Sequence, residues 1–324
     1  VDITHQGGLY IPAHDLWLDP HRAKPFAFVS HAHSDHTARH RAVLCTIETA
    51  AIMRQRLGSN RQETTAAFGE TIPLLGGRAT MLSAGHVLGA AQLYFEGDTG
   101  TMLYTGDFKM RHGLSTPPAQ WCRADTLVME TTFGLPRYRM PAAATVHADI
   151  AHWCRGILET GETPVLFAYS LGKAQELVCS LTAAGLTPML HDAAWKICEL
   201  YRQYRPGFPT GYRRWKPSEI PGHVLIWPHS RDKAELAHRF GKYKAAAVTG
   251  WALDTATKFR YQCDAAFPLS DHADYDELLQ AVETVQPRRV LTLHGFAAEF
   301  ATDLRRRGIE AWALTQQNQM ELPL

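Results

Sequence analysis

Short apolar runs that stop at a polar or charged residue set the pattern of the first third of the chain. Phe26-Ala27-Phe28-Val29 runs up to Ser30 and the histidines beyond it. Residues 79–82 lead to Ser83-Ala84-Gly85-His86, residues 101–104 to Thr105-Gly106-Asp107, and residues 126–129 to Glu130. Each run predicts a short strand. Residues 91–95 and 101–104 read as a strand pair joined by the turn Glu96-Gly97-Asp98-Thr99-Gly100. A helix is predicted over residues 37–43. Polar groups just beyond strand ends converge easily on one edge of a sheet, so residues far apart in sequence can share a site.

From about residue 136 the pattern changes. Apolar spacing predicts helices over residues 142–158 and 171–184, with strands at 164–168 and 188–190. Alternating helices and short buried strands point to a separate α/β unit. After residue 263 the strand-end pattern returns, at Ser270-Asp271-His272 and Leu291-Thr292-Leu293-His294. The simplest organisation is one domain, residues 1–135 and 263–324, interrupted by an insertion over residues 136–262.

Composition narrows the class. The 324 residues are 45% hydrophobic and 20% charged, which predicts a packed core. No apolar stretch reaches the ~18 residues of a membrane span. Residues 1–10 lack the basic-then-apolar layout of a secretion signal, so a cytoplasmic protein is expected. The six cysteines are scattered with no CxxC pair, which argues against a zinc–thiolate site and a disulfide scaffold. The formal net charge is +1, so any nucleic-acid contact needs a local basic patch. Histidine, at 17 residues, directs attention to metal ligands.

His31-Ala32-His33-Ser34-Asp35-His36 supplies four ligand side chains in one short run. His31 and His33 fall on the same side of an extended segment. Asp35 and His36 follow where the chain is expected to turn, and can serve a second position. Two metals roughly 3.5–4 Å apart suit in-line displacement at phosphorus. Imidazole and carboxylate donors fit zinc or manganese.

The run resembles the HxHxDH signature of the metallo-β-lactamase superfamily. That resemblance implies an α/β fold, an αββα sandwich with metals at one edge of the paired sheets. It implies that His86 is a third-motif ligand, that Asp107 bridges two metals, and that Asp19, in Trp-Leu-Asp-Pro, orients a ligand histidine. Glu130 in Met-Glu-Thr-Thr-Phe-Gly, His272 in Leu-Ser-Asp-His-Ala-Asp, and His294 in Leu-His-Gly resemble motifs A, B and C of the β-CASP branch, which cuts nucleic acids. The insertion is then a β-CASP α/β domain. By resemblance, His31, His33, His86 and Asp107 hold one divalent metal, and Asp35, His36, Asp107 and His294 hold the other. A hydroxide between them attacks phosphorus, His272 protonates the leaving oxygen, and Glu130 orients His272.

The insertion carries Tyr169-Ser170-Leu171-Gly172-Lys173 at a strand-to-helix junction. Ser170 is placed to cap the helix, and its free backbone N–H groups with the Lys173 ammonium favour an anion. The segment is similar to the phosphate-pocket element of the DNA cross-link repair nucleases and Artemis, which implies that Ser170, Gly172 and Lys173 bind a terminal phosphate. Residues 201–216 interleave Arg202, Arg205, Arg213, Arg214 and Lys216 with Tyr201, Tyr204, Phe208, Tyr212 and Trp215. Such a stretch can neutralise phosphates and stack on bases, or it can be a basic surface over a packed aromatic core.

The motif C histidine points to RNA, while the compact length and the Ser-Leu-Gly-Lys element look more like the bacterial ligase-associated DNA exonucleases. The favoured expectation is a DNA exonuclease for repair, running 5′ to 3′ from a 5′-phosphate on single-stranded DNA or another free 5′ end. By family resemblance its partners include an ATP-dependent DNA ligase and a helicase. The alternatives are an RNA-processing nuclease of the mRNA 3′-end type and a non-catalytic nucleic-acid-binding subunit.

Overall fold

The structure is a computed structural model that describes residues 3–5, 8–74 and 76–314. The chain divides into two compact units, Val1–Arg139 with His272–Leu324, and Met140–Asp271.

The first unit is built on two sheets. A six-stranded sheet runs in the order Thr4–His5, Leu9–Ile11, Leu16–Leu18, Phe26–Phe28, Ala42–Cys45, Gln62–Thr65. A seven-stranded sheet runs Ala311–Ala313, Arg289–Leu293, Thr126–Glu130, Gly100–Tyr104, Ala91–Gly97, Gly77–Ser83, Thr71–Leu74. One apolar cluster takes Leu9, Leu18, Phe28 and Leu44 from the first sheet and Met81, Leu93, Phe95, Met102 and Val128 from the second. The sheets therefore pack face to face, and burial of their inner faces is what holds them together. The helices Ile47–Leu57, Tyr275–Val285 and Ala297–Arg306 complete the αββα sandwich.

The expected helix over residues 37–43 is absent. Ala42–Cys45 is instead a strand, parallel to Phe26–Phe28 on one side and Gln62–Thr65 on the other. Val43, Leu44 and Cys45 are all buried, which suits a strand covered on both faces better than an amphipathic helix. The helix begins later, at Ile47, where Thr46 Oγ1 accepts from Thr49 N at 3.2 Å.

The second unit is a parallel sheet in the order Arg213–Arg214, Pro188–Leu190, Val224–Trp227, Thr163–Phe167, Tyr243–Val248, Ala265–Phe267. Helix Ala143–Glu159 leads into its first strand, and helices Lys173–Ala183, Asp192–Tyr204 and Lys233–Phe240 lie between its strands in the chain. The architecture is thus an αββα sandwich with an inserted α/β domain. Within the insertion, Tyr201, Phe208 and Tyr212 are buried, with Tyr201 and Phe208 ring centroids 5.2 Å apart. These aromatics fill the unit's interior and do not form a surface for base stacking. Arg202, Arg214 and Lys216 pair with Glu199, Asp192 and Glu219. Among the described residues no helix is long and apolar enough to cross a membrane.

Candidate metal centre

Each candidate ligand stands on a loop at the C-terminal end of a strand. His31–His36 follows Phe26–Phe28, His86 follows Gly77–Ser83, Asp107 follows Gly100–Tyr104, and His294 follows Arg289–Leu293. Backbone bonds tie these loops to neighbouring strands. Ala91 N donates to Ser30 O, Thr105 N to Val128 O, and Thr131 N to Leu293 O. Gly106, with φ of 54°, lets the Asp107 turn lie against the His31 loop, since a Cβ there would sit 2.6 Å from Ser30 Cβ. Gly295 likewise lies where a Cβ would come within 2.5 Å of Thr132 Cα.

The loops bring donor atoms together. His31 Nε2 and His86 Nε2 lie 3.0 and 3.1 Å from His33 Nδ1. Asp107 Oδ2 is 3.5 Å from His31 Nε2, 3.8 Å from His86 Nε2 and 3.3 Å from His36 Nε2. Tetrahedral zinc bonds of roughly 2.0–2.1 Å place neighbouring donors about 3.4 Å apart, so the spacing of His31, His33, His86 and Asp107 suits one cation. Around His36, Asp35 Oδ2 lies 3.8 Å from Nε2 and the His294 ring centroid is 5.6 Å away. The Asp35 side chain is largely exposed, so this second group is the looser of the two. The clustered His and Asp residues form candidate sites for two metal ions, and their nitrogen and oxygen donors fit zinc or manganese.

One buried carboxylate orients two of the imidazoles. Asp19, at a left-handed φ of 41°, accepts from Ser30 N at 2.7 Å, Ser30 Oγ at 2.5 Å, Tyr104 OH at 2.8 Å and His36 Nδ1 at 2.9 Å. Ser30 Oγ in turn lies 2.9 Å from His31 Nδ1. With both Nδ1 atoms donating into this group, the Nε2 atoms of His31 and His36 are the ones left to face a metal. Asp19 is expected here from its resemblance to the family's early acidic motif, whereas Ser30 and Tyr104 belong to no motif. The only local signal for them was adjacency to the two ligand motifs.

His36 and Asp107 hold each other in the charged form. Burial alone would lower His36, but the Asp107 and Asp19 carboxylates outweigh it and hold the imidazole well above its ordinary range. Burial would raise Asp107, yet His36, His272 and His31 hold it well below the usual carboxylate range. Burial keeps His31 well down, and burial with the nearby His36 lowers His294. Those two imidazoles are neutral at neutral pH.

His272 stands beside the cluster, its ring centroid 4.7 Å from that of His86. Its Nδ1 lies 2.9 Å from Glu130 Oε1 and 3.9 Å from Asp107 Oδ2. Glu130 is buried at the end of its strand, and its Oε1 also accepts from Phe108 N at 3.0 Å. A carboxylate on Nδ1 turns Nε2 outward as the atom able to carry a transferable proton.

In the inserted unit, the helix after Phe167 begins at Lys173 with Gly172 at its cap, so Ser170 precedes the cap position expected of it. Gly172 takes φ of 90°, which favours glycine there, and Gln175 Oε1 accepts from its N–H at 2.7 Å. Lys173 is buried, and its Nζ donates to Asp271 Oδ1 at 2.7 Å and Leu269 O at 2.9 Å.

Residues 264–314 match the family described as "Zn-dependent metallo-hydrolase RNA specificity domain". The chain is 49% identical over 323 residues to a "Probable DNA ligase" of Opitutus terrae, covering 99% of this chain and 32% of that protein. It is 26% identical over 282 residues to "5' exonuclease Apollo" of Gallus gallus, covering 82% of this chain and 58% of that protein. The chain therefore spans about a third and somewhat over half of these relatives. A solved structure of a protein of unknown function from Enterococcus faecalis matches with a TM-score of 0.58 and 14% identity, over 90% of this chain and 79% of that one, and so shares the fold.

Proposed function

The chain belongs to the metallo-β-lactamase/β-CASP superfamily of metal-dependent hydrolases, related to Apollo-like and ligase-associated nucleases, and from that premise we propose that it is a DNA exonuclease acting from a 5′ end. The Glu130–His272 pair beside the histidine–aspartate cluster supports the nuclease part of this reading, and the names of the relatives support DNA and a 5′ end. Hydrolysis of a phosphodiester needs an acid for the departing sugar oxygen as well as a hydrolytic centre.

His31, His33, His86 and Asp107 would hold one divalent ion, and Asp35, His36, Asp107 and His294 the second. When bound, the pair supplies an activated water and offsets charge at phosphorus. Asp19, Ser30 and Tyr104 fix the tautomers of His31 and His36. Glu130 holds His272 with Nε2 outward, and from Nε2 a proton passes to the leaving oxygen. Ser170, Gly172 and Lys173 would receive the 5′-terminal phosphate, which has to share the Lys173 ammonium with Asp271. A repair role alongside a DNA ligase domain or partner rests on the Opitutus terrae relative's name.

A second reading, RNA processing, is favoured by the match of residues 264–314 to a family described by RNA specificity. End-labelled single-stranded DNA and RNA, each with 5′-phosphate and 5′-hydroxyl ends, decide between them with manganese or zinc present. Faster loss of 5′-phosphorylated DNA supports the first reading. Preferential cleavage of RNA replaces it with the second, and no cleavage of either rejects both.

A further inference from the structure

We propose that Arg111 and Glu277 form a positioning clamp that fixes the His272 loop to the Asp107 loop, and so sets where the His272 proton is delivered. The inference rests on the reading of His272 as the acid for the leaving oxygen.

Residues 268–273 have no regular secondary structure. No strand ladder holds the His272 backbone, so its position depends on individual contacts. Arg111 lies on the loop that follows Asp107. One guanidinium nitrogen donates to the His272 carbonyl at 2.8 Å, and another donates to Glu277 Oε2. Arg111 N donates to Glu277 Oε1. Glu277 Oε2 also accepts from Asp274 N at 3.0 Å, closing the capping box that starts the Tyr275–Val285 helix. Arg111 therefore grips His272 at its own carbonyl and, through Glu277, at the helix start just after it.

Two more bonds close the ring. Ala273 N donates to Phe108 O at 2.6 Å, and Phe108 N donates to Glu130 Oε1 at 3.0 Å. Glu130 is the group that holds His272 Nδ1. The imidazole is thus fixed at the ring by Glu130 and at the backbone by Arg111, and both anchors refer back to the loop bearing Asp107. The Arg111 and Glu277 side chains are only 21% and 11% exposed, so solvent screens the pair weakly. A planar guanidinium reaches a carboxylate and a carbonyl at fixed angles, whereas an ammonium is a single point donor.

An ordinary structural ion pair would affect every substrate alike. A clamp on the acid affects only substrates that need the acid. In DNA hydrolysis the bond from phosphorus to the sugar oxygen breaks, its electron pair goes to that oxygen, and the proton from His272 Nε2 joins it. In thymidine 5′-(p-nitrophenyl phosphate) the departing p-nitrophenolate is stable without a proton.

The test measures kcat and KM for Arg111→Ala, Arg111→Lys, Glu277→Gln and His272→Ala on both substrates, with thermal melting as a check on folding. Arg111→Ala should lower kcat on 5′-phosphorylated DNA by about tenfold to a hundredfold, with KM held within about threefold. Its kcat on the p-nitrophenyl ester should stay within about threefold of the parent. Arg111→Lys should recover part of the DNA rate, and Arg111→Ala in a His272→Ala background should cost nothing further. Equal losses on both substrates in the variants that fold, or no loss on DNA, overturn the clamp. If His272→Ala itself shows no DNA-selective loss, the acid assignment beneath it fails, and a parent inactive on both substrates rejects the nuclease reading and the clamp together.

Discussion

The Tyr104 hydroxyl donates to Asp19 Oδ2 at 2.8 Å, across 85 residues of sequence, and this bond ties the strand leading to Asp107 to the carboxylate that orients His36. Among the described residues the Asp19 carboxylate accepts from four donors, which hold it toward the imidazole. Outer partners of this kind typically change metal affinity by about 10–100-fold when removed. Asp19→Ala is expected to weaken metal binding by that factor. Tyr104→Phe, which removes one donor of the four, should weaken it by less than about tenfold. Competition against a chromogenic chelator measures both, and unchanged affinity in Asp19→Ala would refute the orienting role.

The Asp107 carboxylate lies within 4 Å of His31, His36 and His86 together. Asp107→Ala should therefore reduce bound metal at both positions and abolish hydrolysis. Elemental analysis of the purified variant, read beside its activity, checks this. A variant that retains two equivalents of metal and full activity rules out the bridging assignment.

Metal uptake should release protons. In the metal-free protein His36 is held well above 6.5 by Asp107 and Asp19, so it carries a proton near neutral pH that a metal must displace. The sign follows from linkage. A raised folded-state value gives stability that is fully present below about 6.5 and is lost as pH rises through the folded value. Apparent metal affinity should accordingly rise with pH through the neutral range. Calorimetry in two buffers of different ionisation heat measures the proton count, and His36→Ala should lower it.

Gly106→Ala tests the close approach of the two ligand loops. The new Cβ would meet Ser30 Cβ at 2.6 Å and would sit at a left-handed φ. Neither loop can yield without moving His31 or Asp107. A cost on the order of 2 kcal/mol is expected, seen as a fall of several degrees in melting temperature together with weaker metal binding. A variant with parent-like melting and parent-like metal affinity would show that the approach is relaxed in solution.

Strand ends and ligand types were legible early because they are local. Apolar runs ending in His, Asp or Glu mark sheet edges, and the His31–His36 run names the chemistry. The helix expected at residues 37–43 failed for a non-local reason: Val43 and Leu44 are buried between two parallel neighbours that lie elsewhere in the chain. The cap expected at Ser170 fell to Gly172, whose positive φ no spacing rule reveals. The aromatics of residues 201–216 could face solvent or core on sequence alone; Tyr201, Phe208 and Tyr212 pack into the core, while Tyr204 and Trp215 are half-buried.

The fold family and a clustered histidine–aspartate chemistry were readable from residue type and short-range order alone. The tertiary structure decided who holds whom. Ser30 and Tyr104 converge on Asp19, and Arg111 reaches Glu277 across 166 residues, because two sheets pack face to face and bring their loops to one edge. No periodicity encodes those pairings; they follow from burial of the shared core and from buried polar groups having to find their hydrogen-bond partners there.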